Sequence, residues 1–348
     1  MDALQKKFQQ EYPDQLYLSQ DNAASLEEYL RKQQWIKGSE KIVSLEKPGE
    51  GNMNVVVRVV TDQQTFIVKQ ARPWVQKYPQ VEAPIERSNV EAAFYALIAG
   101  KAALSERTPK LIGVDAHNFI IALEDMGEGS DYTFLYQKNQ SLSSEEVTAL
   151  TSFISQLHQI RSDHSSVSFP ANQAMKELNH EHIFRFPFQE ENGFNLDDVQ
   201  EGLQALSLIY KRNELLKQRV TLLGKRYLTT GTTLLHGDYY PGSWLKTASG
   251  IIVIDPEFAF LGDPEFDLGV MIAHLTMART EPHLIKQLLK QYNRPSSYDE
   301  GLQQAYCGVE ILRRIIGLAQ LPLSFSLDEK KKLLEQATQW VLQYEAEE

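Results

Sequence analysis

Two acidic residues carry the clearest chemistry in this chain. Asp238 stands in His236-Gly237-Asp238-Tyr239-Tyr240-Pro241-Gly242-Ser243, and Asp255 opens Asp255-Pro256-Glu257 directly after the apolar run Ile251-Ile252-Val253-Ile254. Apolar runs ahead of both segments predict strands that deliver the two acids to neighbouring loops, a hairpin's length of chain apart. Phosphoryl transfer calls for such a pair. One carboxylate orients an attacking hydroxyl and accepts its proton; the other holds the magnesium that bridges the phosphates of ATP. Glu257 can add a second oxygen ligand for the same hard cation. A lone His-Gly-Asp matches often by accident. The full string, with Gly262-Asp263-Pro264-Glu265-Phe266-Asp267-Leu268 behind it, is far more specific. In it, His236 is read as holding the loop and Asp267 as accepting the loop's backbone amides.

The cations come next. Lys69 ends an apolar strand, where it either snorkels to solvent or needs a partner or ligand. Glu91, on a helix predicted over 86–100, is the expected partner and would aim the ammonium at the α- and β-phosphates. Glu86 and Glu82 are weaker candidates. Arg313 and Arg314 adjoin in the apolar segment Ile311–Ile316, where two guanidiniums need counter-charges. They form either structural salt bridges or a ligand site. Gly49-Glu50-Gly51-Asn52 reads as a turn whose glycines let backbone amides approach phosphate. His158, His180 and His182 are read as structural, since two histidines without a third ligand make a poor zinc site.

The periodicity that must position these residues changes along the chain. Ser25 and Glu28 suggest a capping box opening a helix over 25–34. Strands follow over 41–46, 54–60, 65–70, 110–114 and 118–123. Residues 125–131 are acidic and glycine-containing, a connection between lobes. Beyond them, helices are expected over 143–157, 198–228, 264–279, 299–320 and 328–346, with strands at 233–235 and 251–254. The pattern is α+β: a small antiparallel-sheet lobe with one helix over 1–124, and a larger, mainly helical lobe over 125–348.

The catalytic string resembles the loops of the aminoglycoside phosphotransferase and choline kinase superfamily, small-molecule kinases of protein-kinase-like fold. Ser243, where most of that superfamily has Asn, and Asp255-Pro256-Glu257-Phe258-Ala259-Phe260 resemble one branch, the S-methyl-5-thioribose kinases of methionine salvage. Similar segments are Gly51-Asn52-Met53-Asn54, Ile67-Val68-Lys69-Gln70, Glu177-Leu178-Asn179, His182-Ile183-Phe184 and Arg313-Arg314-Ile315-Ile316-Gly317, so the likeness covers about residues 25 to 345. The resemblance implies that Asn52 contacts nucleotide and that the backbone of Glu124, Asp125 and Met126 meets the adenine edge. It implies that Arg313 and Arg314 reach the acceptor sugar and the phosphate in transit, and it suggests a homodimer. The helix over 328–346 either supplies that interface or faces the core. Tyr239-Tyr240-Pro241 departs from the Leu-His-Thr of the branch beside the acceptor site. There Tyr239, Tyr240 and Trp244 either wall a methylthio pocket or pack. Other acceptors (another pentose, an aminoglycoside, choline) are the alternatives, followed by a nucleotide-binding pseudokinase.

Composition narrows the field. The 348 residues carry 35 Lys and Arg against 46 Asp and Glu, a net charge of −11. That balance argues against a nucleic-acid partner or an anionic membrane, which call for a basic face. One cysteine, Cys307, excludes an intramolecular disulfide and a cysteine cluster. No signal peptide is visible and no apolar run approaches a bilayer's thickness, so a cytoplasmic enzyme is expected.

Overall fold

Alternating side chains along two polar-tipped strands build the centre of the first unit. The computed structural model describes residues 3–20, 23–49, 53–163 and 168–345. Two compact units divide it, Met1–Gly129 with Ile254–Glu257, and Ser130–Val253 with Phe258–Glu348.

The first unit begins with helices α1 (Ala3–Glu11) and α2 (Ala23–Lys32). Strands β1 (Ile42–Glu46), β2 (Val55–Thr61) and β3 (Thr65–Gln70) follow, then a small hairpin of β4 (Trp74–Val75) and β5 (Tyr78–Glu82). Helix α3 (Arg87–Ile98), the short α4 (Ala102–Ser105), β6 (Leu111–Asp115) and β7 (Ile120–Glu124) complete it. The antiparallel sheet has the order β1-β2-β3-β7-β6. Lys69 therefore lies on the central strand, opposite Val56 on one side and Ile121 on the other. Val57, Val59, Phe66, Val68, Ile120 and Ala122 form one core with Leu26 and Leu30 of α2. Phe8 of α1 packs on Trp74 and Ile85 in another. The proposed Ser25 cap is not used: Ala23 and Ala24, strong helix formers, start α2 earlier, so Ser25 lies inside it.

Helices dominate the second unit. They are α5 (Ser144–Leu157), α6 (Gln173–His180), α7 (Leu203–Lys211), α8 (Glu214–Leu228), α9 (Pro264–Met277), α10 (Pro282–Gln291), α11 (Glu300–Ile316) and α12 (Leu327–Gln343). Ser143 and Glu146 form the capping box of α5. The helix expected over 198–228 is two helices, because Asn213 accepts the amide of Leu216 and starts α8 afresh. Four short strands frame the loops of interest: β8 (Ser130–Asp131), β9 (Thr233–Leu235), β10 (Trp244–Thr247) and β11 (Gly250–Val253), with β12 (Phe260–Gly262) after them. β10 and β11 form a hairpin in which Trp244 faces Val253. β9 pairs with β12, Leu235 opposite Phe260. Leu334, Ala337 and Val341 of α12 are buried, with α12 packed on α11, so this apolar face belongs to the core of its own chain. No helix among the described residues is long and apolar enough to cross a membrane.

Helix α9 is apolar on nearly all sides and lies hard against α11. A Cβ on Gly269 would stand 2.8 Å from Cβ of Tyr306 and 2.9 Å from the backbone nitrogen of Cys307. Glycine permits this approach, and the last turn of α11 carries Arg313 and Arg314. Gly269→Ala is therefore expected to cost about 1–3 kcal/mol through overpacking, read as a lower midpoint in urea unfolding at unchanged slope.

Candidate active site

In the first unit, five charged side chains meet at the C-terminal end of β3 and the start of α3. Lys69 Nζ donates to Glu91 Oε1 at 2.8 Å and to Asp255 Oδ1. Arg87, one turn before Glu91 on α3, pairs through Nε with Glu257 Oε2 at 3.1 Å. Asn54 bridges them: its carbonyl accepts from Arg87 Nε at 3.0 Å and its amide donates to the same Glu257 oxygen at 2.9 Å. The remaining Arg87 nitrogens are spent on the carbonyls of Met53, Arg72 and Pro84. Lys69, Arg87, Glu91 and Glu257 are buried, whereas the Asp255 side chain is 43% exposed. Asp255 holds φ at +61°, a conformation that non-glycine residues seldom adopt outside constrained sites.

Burial would lower the Lys69 ammonium, but Asp255 and Glu91 outweigh it and hold it well above its usual value. Burial pushes Glu91 up to about 7 against the pull of Lys69, with Asp255 and Glu257 adding repulsion. Glu257 is raised by burial too, opposed by Arg87 and reinforced by Asp255. Three carboxyl groups face two cations, and the exposed donor is a hard carboxylate oxygen of Asp255. That donor set fits a divalent cation such as magnesium. No group of three or more His, Cys, Asp or Glu among the described residues closes into a cage. Magnesium held with nucleotide phosphates needs only one or two protein carboxylates.

The other nucleotide-side residues are placed as follows. Asn52, with Glu50 and Gly51 of the expected flap, lies outside the described residues. Glu124 ends β7 and pairs with Lys110 at 3.4 Å. Asp125 pairs with Arg58 at 2.8 Å and accepts the amide of Gly127, so its carboxylate is spent on the turn. Met126 is half-buried between them.

Asp238 lies in the second unit, in the loop after β9. The buried Asp267 carboxylate accepts the amides of His236 at 2.7 Å and Gly237 at 3.0 Å, and its Oδ2 lies 3.3 Å from Nε2 of buried His158. Gly237 has φ +81°, and a Cβ there would come within 2.1 Å of the Phe258 carbonyl oxygen. Glycine alone fits between the histidine and the aspartate. Ser243 donates its hydroxyl to the Asp238 carbonyl at 2.8 Å and closes the loop on itself. Of the three aromatic residues in the loop region, Tyr239 and Trp244 are core: both are fully buried, and Tyr239 donates to the Leu150 carbonyl. Only Tyr240 is partly open.

Arg313 and Arg314 share one counter-ion on their own helix. Glu310 Oε2 accepts from Arg313 Nε, and Oε1 accepts from Arg314 Nε at 2.8 Å. Arg314 Nη2 lies 4.0 Å from Asp238 Oδ1, and its guanidinium sits 5.1 Å above the Tyr240 ring. Both arginines are less than a tenth exposed. His182 is near enough to Arg313 that its imidazole, lowered first by burial, is lowered further by that charge. Glu310 was legible: a residue three and four positions before two buried arginines is their natural partner. So was Arg87, four residues before Glu91 on one helix face. Asn54 carried no signal of its own.

A sheet unit with an ion-paired strand lysine, and a helical unit with a carboxylate beside two guanidiniums, are the parts of a small-molecule phosphotransferase. Residues 44–306 match the model of the phosphotransferase enzyme family, and the chain belongs to that family. It is similar to the methylthioribose kinase of Geobacillus sp. (strain WCH70), at 28% identity over 82% of this chain and 81% of that one. The methylthioribose kinase of Yersinia pestis (strain Pestoides F) is 26% identical over 89% and 87%. Among solved structures, choline kinase from Streptococcus pneumoniae has the same fold at 15% identity and TM-score 0.51, covering 92% of this chain and 100% of that one. Spectinomycin phosphotransferase, solved with ADP and spectinomycin, gives 15% and 0.53 over 93% and 99%. The fold is thus protein-kinase-like, and the enzyme transfers a phosphoryl group to a hydroxyl acceptor.

One consequence concerns acid. Burial lowers the His274 imidazole from 6.5 to about 4, against its hydrogen bond to Glu310 and with the help of the two guanidiniums. A histidine neutral in the fold but protonated when unfolded contributes stability that is complete above pH 6.5 and is lost as the pH falls toward 4. The unfolding midpoint should therefore drop across that window. His274→Asn should flatten part of the drop, as measured by thermal unfolding at half-unit pH steps.

Proposed function

We propose that this chain is an ATP- and magnesium-dependent kinase that phosphorylates the 1-hydroxyl of 5-methylthioribose, a cytoplasmic step of methionine salvage. The observation that carries the reading is the pair of buried guanidiniums that share Glu310, one of which, Arg314, lies 4.0 Å from the Asp238 carboxylate. Paired arginines suit a neutral, hydroxyl-rich acceptor and a phosphate in transit, whereas a cationic aminoglycoside or choline calls for acids or an aromatic cage. The curated relatives named methylthioribose kinase support the same acceptor.

In this reading Asp238 accepts the proton of the sugar hydroxyl as its oxygen bonds to the γ-phosphorus. The bond to the β,γ-bridging oxygen breaks and ADP departs. Lys69, oriented by Glu91, meets the α- and β-phosphates. Asn52 contacts the nucleotide, and the backbone of Glu124, Asp125 and Met126 borders the adenine. Asp255 is the principal metal ligand, with Glu257 behind it. Magnesium, when bound, supplies positive charge to the phosphate oxygens. Arg313 and Arg314 bind the acceptor and stabilise charge on the phosphoryl group.

A coupled ADP-release assay with 5-methylthioribose, other pentoses, aminoglycosides and choline tests the acceptor. Turnover on methylthioribose is expected, and turnover confined to aminoglycosides or choline would overturn the assignment. Asp238→Asn should lower that turnover about 10²–10⁴-fold, the usual worth of a positioned acid or base, with ATP binding retained in calorimetry. Asp255→Ala should leave nucleotide binding no longer responsive to magnesium while the melting temperature moves little. Glu257→Gln should do the reverse in emphasis, since it weakens the counter-charge of buried Arg87. Equal magnesium titrations for parent and Asp255→Ala would remove Asp255 from the metal site.

A further inference from the structure

Behind Arg314 runs a buried chain of side chains that the proposed mechanism does not use. Tyr136, in the single-turn helix Tyr132–Tyr136, places its hydroxyl 2.5 Å from Nδ1 of His274 on α9. Nε2 of the same ring lies 2.8 Å from Oε1 of Glu310 on α11. That oxygen also accepts from Arg314, and Oε2 accepts from Arg313. All three residues are buried, His274 and Glu310 completely. Three separate elements are thus linked in one chain that ends on the Glu310 carboxylate.

The protonation states follow from the surroundings. Burial would raise Glu310, but Arg313, Arg314 and His274 outweigh it and hold the carboxyl well below its usual range. An ionised Glu310 only accepts, so Nε2 of the neutral imidazole carries the proton and Nδ1 accepts from the Tyr136 hydroxyl. Each link has one direction: tyrosine to histidine to glutamate. The ring of Tyr240 lies between the two ends, 4.9 Å from the His274 ring and 5.1 Å from the Arg314 guanidinium.

We propose that Tyr136, His274 and Glu310 are positioning residues for phosphoryl transfer, fixing the guanidiniums of Arg313 and Arg314 and, with the latter, the Nη2 that lies toward Asp238. An arginine has four rotatable side-chain bonds, and a contact through Nε alone leaves the carboxylate partner free to rotate. The His274 donor removes that freedom by occupying a lone pair of Oε1, and Tyr136 fixes the ring that donates. Both arginines are tied to Glu310 by Nε; Arg314 spends Nη1 on the Ala319 carbonyl at 3.4 Å, and its Nη2 is 4.0 Å from Asp238. Support of this kind is what holds a reacting constellation to within a fraction of an ångström. A misplacement of about 1 Å can cost 10²-fold in rate. The inference rests on the kinase reading above.

The test uses the full-length enzyme in the ADP-release assay, with Asp238→Asn as the control for the reading itself. Tyr136→Phe removes one hydroxyl and nothing else. It should lower kcat with methylthioribose about 5- to 100-fold and raise the acceptor KM, leaving the KM for ATP and the melting temperature near the parent. His274→Gln, which keeps a donor toward Glu310, should retain more turnover than His274→Leu, which keeps none. Glu310→Gln should be the most damaging, and if it fails to fold, Tyr136→Phe and the His274 pair decide. A purely structural chain would shift melting temperatures and leave kcat and acceptor KM per folded molecule unchanged. Tyr136→Phe with parental kinetics, or His274→Gln no better than His274→Leu, overturns the inference. Absence of acceptor-dependent ADP release from the parent, or full turnover by Asp238→Asn, overturns the kinase reading instead.

Discussion

A buried ion is costly unless a neighbour answers its charge, and this constraint shapes the charge clusters of both candidate sites. Removing an ion from water costs several kcal/mol even after relaxation, against a total stability of about 5–15 kcal/mol for a typical domain. Lys69, Arg87, Arg313 and Arg314 are all buried, and each has a carboxylate within its first contacts. Helix α3 answers the demand by carrying Arg87 and Glu91 on one face. Helix α11 answers it within a single turn, through Glu310.

The two clusters solve the problem differently, and the difference matches the roles proposed for them. In the first unit three carboxyl groups face two cations, and Asp255 is the one member of the group open to solvent. That is a site with an exposed hard oxygen donor. In the second unit two acids, Glu310 and Asp238, face the two cations Arg313 and Arg314, and a guanidinium donor of Arg314 lies beside the Asp238 carboxylate. That is a site rich in directed hydrogen-bond donors but with little net field. One arrangement suits metal-bound phosphates, the other a polyhydroxy acceptor.

Much of this was readable from residue order where the signal is local. Strand alternation gave the antiparallel sheet, Ser143 and Glu146 gave a helix start, and Asp267 was recognisable as the support of the His-Gly-Asp loop. Failures came where a local signal met a competing one. The Ser25 cap lost to the helix-forming alanines before it, and the long helix over 198–228 lost to the capping side chain of Asn213. Residues that act through distant partners were the hardest. Nothing around Tyr136 in the sequence points to His274, because their contact depends on how the Tyr132–Tyr136 turn and α9 come to lie together. For Tyr239 and Trp244 a pocket wall and packing both stayed open, because adjacency to a reactive loop says nothing about which way a ring turns; both are core.

The return of Ile254–Glu257 to the first unit has a consequence for how the molecule is made. A ribosome releases residues 1–129 long before residues 254–257 exist, so α3 and the sheet can assemble early while the counter-ion of Arg87 is still unsynthesised. Until then that guanidinium has hydrogen bonds to Asn54 and backbone carbonyls, and the more distant charges of Glu91 and Glu86, but not its ion-pair partner. The amino-terminal unit is therefore begun first and finished after most of the helical unit has been translated. Cutting the gene at residue 129 would produce a fragment lacking two of its own charges, Asp255 and Glu257, and a circular permutant that brings both pieces into one early segment would reverse the order of completion.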